Sequence, residues 1–358
     1  TVIMKICILG DTHFGMRGDS VVFHSFYEKF YKNIFFPYLE KNKIKHIYQL
    51  GDLFDRRKFI NFNTLQLCKK YFFDVIKQKG MELHTLLGNH DIYYKNTLDV
   101  NSTNLLLNSY DNIWVYTQPT TIDIDGIAID VVPWICDENE NQIMEFIEKS
   151  KSQIIFGHFE LSGFEMERGI IIQEGYDKDI LKKYDVVLSG HYHHKSTNGQ
   201  ITYVGTPGEM TWMDYDDPRG FHVFDTETRE LEFIQNPFNI FNRITYDDNI
   251  QTYDFWKKYN YEKLKDSYVK IVVINKKDPY LFDSILDNLY RINVIDISIV
   301  EDFTEFETPN DESVNEAEDT ITILNRYIDS LTLQIKPDIL KSIIKDLYIE
   351  SMNMEKTQ

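Results

Sequence analysis

Five short apolar runs in this chain end at a glycine and hand over at once to a side chain able to bind a metal. ICILGD ends at Asp11, IYQLGD at Asp52, HTLLGN at Asn89, IIFGH at His158 and VVLSGH at His191. One instance alone reads as an ordinary strand-to-loop turn. Five of them, ending in Asp, Asp, Asn, His and His, argue for one shared site. Glycine suits such junctions because it accepts unusual dihedrals and lets the next group approach closely. Local spacing adds His13, two residues after Asp11 in GDTH, and His193, two residues after His191 in GHYH. In an extended segment residues i and i+2 share a side, so each pair is expected to face one ion. Carboxylate, amide and imidazole without thiolate suit manganese, iron or zinc and suit calcium poorly. Seven candidate ligands exceed what one ion with an open position needs. Two ions sharing a carboxylate would use them all, and a pair of ions roughly 3.5–4 Å apart is a standard device for phosphate-ester hydrolysis.

The elements that must position these groups follow from the same runs. Short apolar stretches alternating with helical segments predict an α/β architecture whose strand ends deliver loops to one place. The chain has 358 residues, 42% of them hydrophobic, enough for one large domain and a smaller appendage. No apolar run reaches the length of about 18 residues that a membrane span needs. No secretory leader is expected, MKICILGD reads as a natural start, and a cytoplasmic setting is expected. Cys7, Cys68 and Cys136 are scattered without metal-ligand spacing and fit burial in a reducing compartment. A formal net charge of −19 argues against coating nucleic acid by bulk electrostatics.

The order GDTH, GDLFDRR, GNHD, GH, GHYH resembles the calcineurin-like metallophosphoesterases. Within them the chain is most similar to the SbcD and meiotic-recombination-eleven nucleases of DNA double-strand breaks, in the version of large tailed bacteriophages. LHTLLGNHDIYYKN, VVPW, YVGTP and DPRGF carry the same likeness, which is strong over residues 4 to about 235. The resemblance implies a sandwich of two central mixed β-sheets flanked by helices. It implies that Asp11, His13 and His193 hold one ion, that Asn89, His158 and His191 hold a second, and that Asp52 bridges them. The ions would be manganese, with magnesium as the alternative. Water activated there would attack phosphorus, and a protonated His90 would stabilise the phosphorane or protonate the departing 3′ oxygen. Asp91 reads equally as an orienting group or a turn residue. Asp55 stands where archaeal and eukaryotic members carry histidine and where bacterial SbcD proteins and phosphatases carry aspartate. Its carboxylate is expected to pair with His90 and fix its tautomer.

Several residues have plainer expectations. His24, His46 and His84 read as core or solvent histidines, and His194 as pointing away from the ligands. His222 fits either strand packing or a supporting role, and Trp134 and Trp212 read as packing residues. Arg17, Arg56, Arg57 and Lys58 form a candidate basic rim for DNA, joined by Tyr93 and Lys95 after GNHD, against the alternative of a solvated charge run.

The metallophosphoesterase domain is expected to span residues 1–238 and a capping, DNA-positioning domain residues 239–302. Residues 303–318 form an acidic linker. Residues 319–354 form a helix pair whose stripe of Ile339, Leu340, Ile343, Ile344, Leu347 and Tyr348 would dock on the coiled coil of an SbcC-type, SMC-like ATPase. The family likeness further implies a homodimer within a heterotetramer. The expected activity is a manganese-dependent nuclease, a 3′→5′ exonuclease on duplex ends and an endonuclease on single strands. The rival readings are a phosphoprotein or nucleotide phosphatase of the same fold and a non-catalytic scaffold.

Overall fold

The structure, a computed structural model, describes residues 5–301 and Lys341. Its centre is two six-stranded sheets packed face to face. In the first, strands Lys5–Leu9, His46–Gln49, Glu82–Leu86 and Ile113–Tyr116 run parallel in that order. Strand Gly220–Asp225 pairs antiparallel with Lys5–Leu9, and Leu231–Gln235 closes that edge. In the second, Ile154–Gly157 lies parallel to Val186–Ser189 on one side and to Ile127–Val132 on the other. Both sheets are mixed, as the resemblance implied.

Successive residues of Lys5–Leu9 are buried on alternate faces, which explains why the run from Ile6 to Leu9 is apolar throughout. Ile6 and Ile8 face the second sheet, where they join Leu50, Phe156, Leu188 and Val204. Cys7 and Leu9 face outward into a helix-covered core with Phe30, Phe35 and Phe72. A strand covered on both faces has no polar side to show. The covering helices are Val21–Phe30 and Phe62–Cys68, each of which passes through a wide five-residue turn into a further helical segment. Those wide turns meet where the Tyr31 and Tyr71 rings stack 6.0 Å apart.

The chain then builds a smaller lobe of three parallel strands, Phe241–Asp247, Tyr268–Asn275 and Asp296–Val300, with the second in the middle. Helix Pro279–Arg291 packs Leu281, Phe282, Ile285 and Leu289 against this sheet, and its first turn is capped by the Asp278 carboxylate. Phe241 anchors the lobe between Trp212 and Tyr268, at 4.8 and 5.5 Å. The Glu209 carboxylate accepts from the Ile240 and Phe241 amides at 2.7 and 2.9 Å. Linker 303–318 and the helix pair 319–354, including the stripe from Ile339 to Tyr348, lie outside the described residues. Among the described helices none is long and apolar enough to cross a membrane.

Candidate metal centre

The parallel strands of both sheets end on the same side of the sandwich, so the five glycine junctions open into one place. Main-chain bonds fix their spacing. Thr12, His13 and Phe14 donate to the carbonyls of Asp52 and Leu53 at 2.9–3.2 Å, which zips GDTH to GDLFD. Two further bonds cross between sheets: His191 N reaches the Asp11 carboxylate at 3.1 Å, and His158 Nδ1 donates to the Leu50 carbonyl at 2.6 Å. The latter leaves His158 Nε2 facing inward, as a ligand histidine requires.

The seven candidate ligands converge. His13 Nε2 lies 3.1 Å from His193 Nε2 and 3.9 Å from Asp11 Oδ2. His158 Nε2 lies 3.3 Å from Asp52 Oδ2 and 3.0 Å from Asn89 Oδ1, and His191 Nδ1 is 3.1 Å from the same amide oxygen. Asp11, His13 and His193 form one group able to hold an ion; Asp52, His158 and His191 form another. Asp52 Oδ2 also stands 3.8 Å from His13 Nε2, between the groups. Glycine is needed at Gly88, where a Cβ would overlap the Asp52 carboxylate, and at Gly51, with φ of 92° and the His158 ring beside it. The chemistry of this donor set and its tight packing fit two divalent cations.

One expectation needs correction. The i, i+2 pairs are not extended: His13 and His191 have φ of 42° and 91°, the left-handed region that non-glycine residues rarely adopt. The turn directs His193 toward Asp11 and His191 toward His158, so GHYH serves both groups rather than one. Asp55 meets two imidazoles. Its backbone carbonyl accepts from His90 Nδ1 at 2.6 Å, and its carboxylate lies 3.3 Å from His13 Nδ1. The carbonyl already fixes the His90 tautomer, and the carboxylate is left to orient the His13 ring. His13, Asp55 and His90 also lie close enough together to share an ion, an alternative role for His90.

The electrostatics follow from burying carboxylates among imidazoles. Burial lifts Asp11 to about 7, against the pull of His158. Burial works the same way on Asp52, but His158 and His90 hold it well below the usual carboxylate range. Burial disfavours charge on His158, yet Asp52 and Asp11 carry its pKa to about 9. Burial holds His191 and His193 below the ordinary histidine value. His158 must therefore shed a proton to become a ligand. Manganese titrations at pH 7 in buffers of different ionisation enthalpy should show proton release, and affinity should rise from pH 7 toward pH 9. Binding heats independent of the buffer would contradict this.

Other residues emerge only in space. Asp91 is buried and accepts from Leu53, Phe54 and Gly88 amides at 2.9–3.3 Å, tying the loop of Asp52 to that of Asn89. This selects the orienting role for Asp91. Arg219, in DPRGF, bonds the His193 carbonyl and pairs with Asp214 and Asp217 at 2.7 Å. Asp217 in turn binds His194, whose ring faces away from the ligands. An arginine among closely spaced aspartates was the available sequence signal. His222 packs on Phe233, Trp134 lies against the His158 and His191 rings, and His24 is buried between Tyr71 and Thr64.

The site floors an open cleft lined also by Glu160, Glu167, Glu174, Met210 and Thr211. Arg56, Arg57, Lys58 and Tyr93 line a separate groove. Arg56 pairs with Asp19 at 2.8 Å and Arg57 donates to the Ile92 carbonyl at 3.1 Å, whereas Arg17, Lys58 and Lys95 are exposed.

The calcineurin-like phosphoesterase family matches residues 4–195, and the chain belongs to that family of metal-dependent phosphoesterases. More particularly, it is 35% identical over 362 residues to exonuclease subunit 1 of Enterobacteria phage T4, covering 99% of this chain and 100% of that protein. It is 24% identical over 262 residues to the SbcD component of the nuclease SbcCD of Staphylococcus saprophyticus, covering 64% of this chain and 67% of that one. A crystal structure of a protein from Thermus thermophilus covers 65% of this chain and 99% of its own, at 12% identity and a TM-score of 0.40.

Proposed function

We propose that this chain is a two-metal DNA nuclease subunit, a 3′→5′ exonuclease on duplex ends and an endonuclease on single strands. The observation that carries the reading is the pair of ligand groups meeting at Asp52, with His90 held beside them at the floor of an open cleft. Asp11, His13 and His193 would hold one ion and Asn89, His158 and His191 the other, with Asp52 shared. Manganese, bound there, supplies Lewis acidity and lowers the pKa of water. The chain's own part is positional and protonic. The Asp55 carbonyl holds Nδ1–H of His90, so Nε2–H is the proton that passes to the departing 3′ oxygen, leaving a neutral ring. The Asp55 carboxylate keeps His13 turned toward Asp11.

Substrate reading rests on local charge rather than the acidic whole. Two divalent cations return positive charge to the cleft, and Arg17, Lys58 and Lys95 are exposed and form no ion pair among the described residues. Similarity to a phage exonuclease subunit along nearly the whole chain supports the same assignment. Residues 319–354 are assigned to an SbcC-type coiled-coil ATPase. The homodimer rests on the family likeness.

End-labelled linear duplex and a phosphopeptide, each incubated with the protein and manganese, test the reading. Cleaved DNA is expected; turnover of phosphopeptide with intact DNA would make the chain a phosphatase. Removing Arg17, Lys58 and Lys95 together should weaken duplex binding. The slope of log affinity against log salt should fall by about 0.9 for each phosphate left without its cation. An unchanged slope would take these residues out of the interface.

A further inference from the structure

We propose that His46, Glu82 and His84 form a second metal site, for a single zinc-like transition-metal ion, at the end of the sandwich opposite the cleft. The placement follows from strand direction. His46 and Glu82 are the first residues of their parallel strands and stand in register, whereas the catalytic loops leave the other ends of those strands. Glu82 and His84 are two apart on one strand and share a face.

The three side chains already converge. His46 Nδ1 lies 2.9 Å from Glu82 Oε2 and His84 Nε2 lies 3.5 Å from the same oxygen. The donor atoms all fall within 4.8 Å of one another. His46 and Glu82 are 31% and 40% exposed at their side chains, so they have the freedom to draw in around an ion and leave an open side for water.

The rigid member is His84. Its ring is clamped between Tyr48 and Trp114, at 4.6 and 4.8 Å and within 12° of parallel. Its Nδ1 is 2.9 Å from the Tyr116 hydroxyl, which leaves Nε2 as the atom facing Glu82. That Nε2 is buried and has no hydrogen bond of ordinary geometry. Burial disfavours a charge on the His84 ring. An oriented neutral imidazole with its second nitrogen engaged is how proteins present a metal ligand. A cross-strand ion pair of His46 with Glu82 accounts for those two groups but leaves the buried nitrogen of His84 only a 3.5 Å contact with the same oxygen.

Two imidazoles and one carboxylate with an open fourth position match the ligand count and type of a tetrahedral zinc site. They suit zinc, copper or nickel over magnesium or calcium. Such an ion would clip strand His46–Gln49 to Glu82–Leu86 at the end that the catalytic loops do not reach.

The test is zinc content per chain after dialysis of the full-length protein against zinc, with melting temperature as the second readout. Wild type should hold one equivalent more than either His46→Ala or Glu82→Gln. Zinc should raise the wild-type melting temperature more than that of either variant. Manganese-dependent cleavage of duplex should stay within about twofold of wild type in both, because neither residue touches the cleft. Repeating the counts in the Asp52→Asn background separates the two sites, since the one-equivalent difference persists there even if the cleft binds nothing. Equal zinc content in wild type and both variants, or an equal melting shift, would overturn the proposal.

Discussion

His90→Ala is expected to keep the metal content of the wild type and to lose roughly 10²–10⁴-fold in turnover of linear duplex. The expectation follows from how little of the fold depends on that ring. The bond from residue 90 to Asp52 is made by the backbone amide, at 2.7 Å, and alanine retains it. The ring itself binds the Asp55 carbonyl and meets the His13 ring edge-on at 4.9 Å. Truncation therefore removes the proton donor while leaving Asp11, His13, Asp52 and Asn89 in place. Metal content and single-turnover cleavage, measured on the same preparation, check this. Metal lost together with turnover would instead make His90 a ligand, in the company of His13 and Asp55.

Asp52→Asn should behave differently, losing both metal content and turnover. Asp52 stands between the two ligand groups and is almost fully buried, in contact with imidazoles from both. Asparagine preserves the shape, and Oδ1 can still accept from the His90 amide, so folding should survive. The charge change has an independent signature. Burial opposes a proton on His158, and Asp52 is the foremost group that carries its pKa to about 9. Without that carboxylate the His158 pKa should fall. Metal-free protein should show this by NMR titration as a downward move of the His158 transition. The sign for stability follows: a raised histidine pKa stabilises the fold below the unfolded value near 6.5 and loses that contribution as pH rises through about 9. Asp52→Asn should flatten that fall. Wild-type metal content in the variant would remove Asp52 from the bridge.

The fold was legible because its signals are local. Each glycine-terminated run is a strand read off a few consecutive residues, and YLFDSILDNLY marks a helix by its own periodicity, seen as Pro279–Arg291. The placement of Asp55 was not legible in the same way. Motif spacing names a residue but cannot say that its backbone carbonyl will hold His90 Nδ1 while its carboxylate stands beside His13. The basic run 56–58 shows a related effect. Three consecutive charges read alike in sequence, yet the fold engages Arg56 with Asp19 and Arg57 with a carbonyl and leaves Lys58 exposed.

By itself the sequence determined which chemistry was available: oxygen and nitrogen donors without thiolate, each placed at a strand end by an adjoining glycine. The tertiary structure decided how the chain turns to share those donors out, along the division that the family resemblance implied. His191 and His193 are near neighbours in the chain but turn to different groups, because the backbone at His191 is left-handed rather than extended. Arg219 reaches the His193 carbonyl across 26 residues, and His191 N bonds Asp11 across 180. Such contacts join loops from two separate sheets, and their geometry exists only once the sheets have packed.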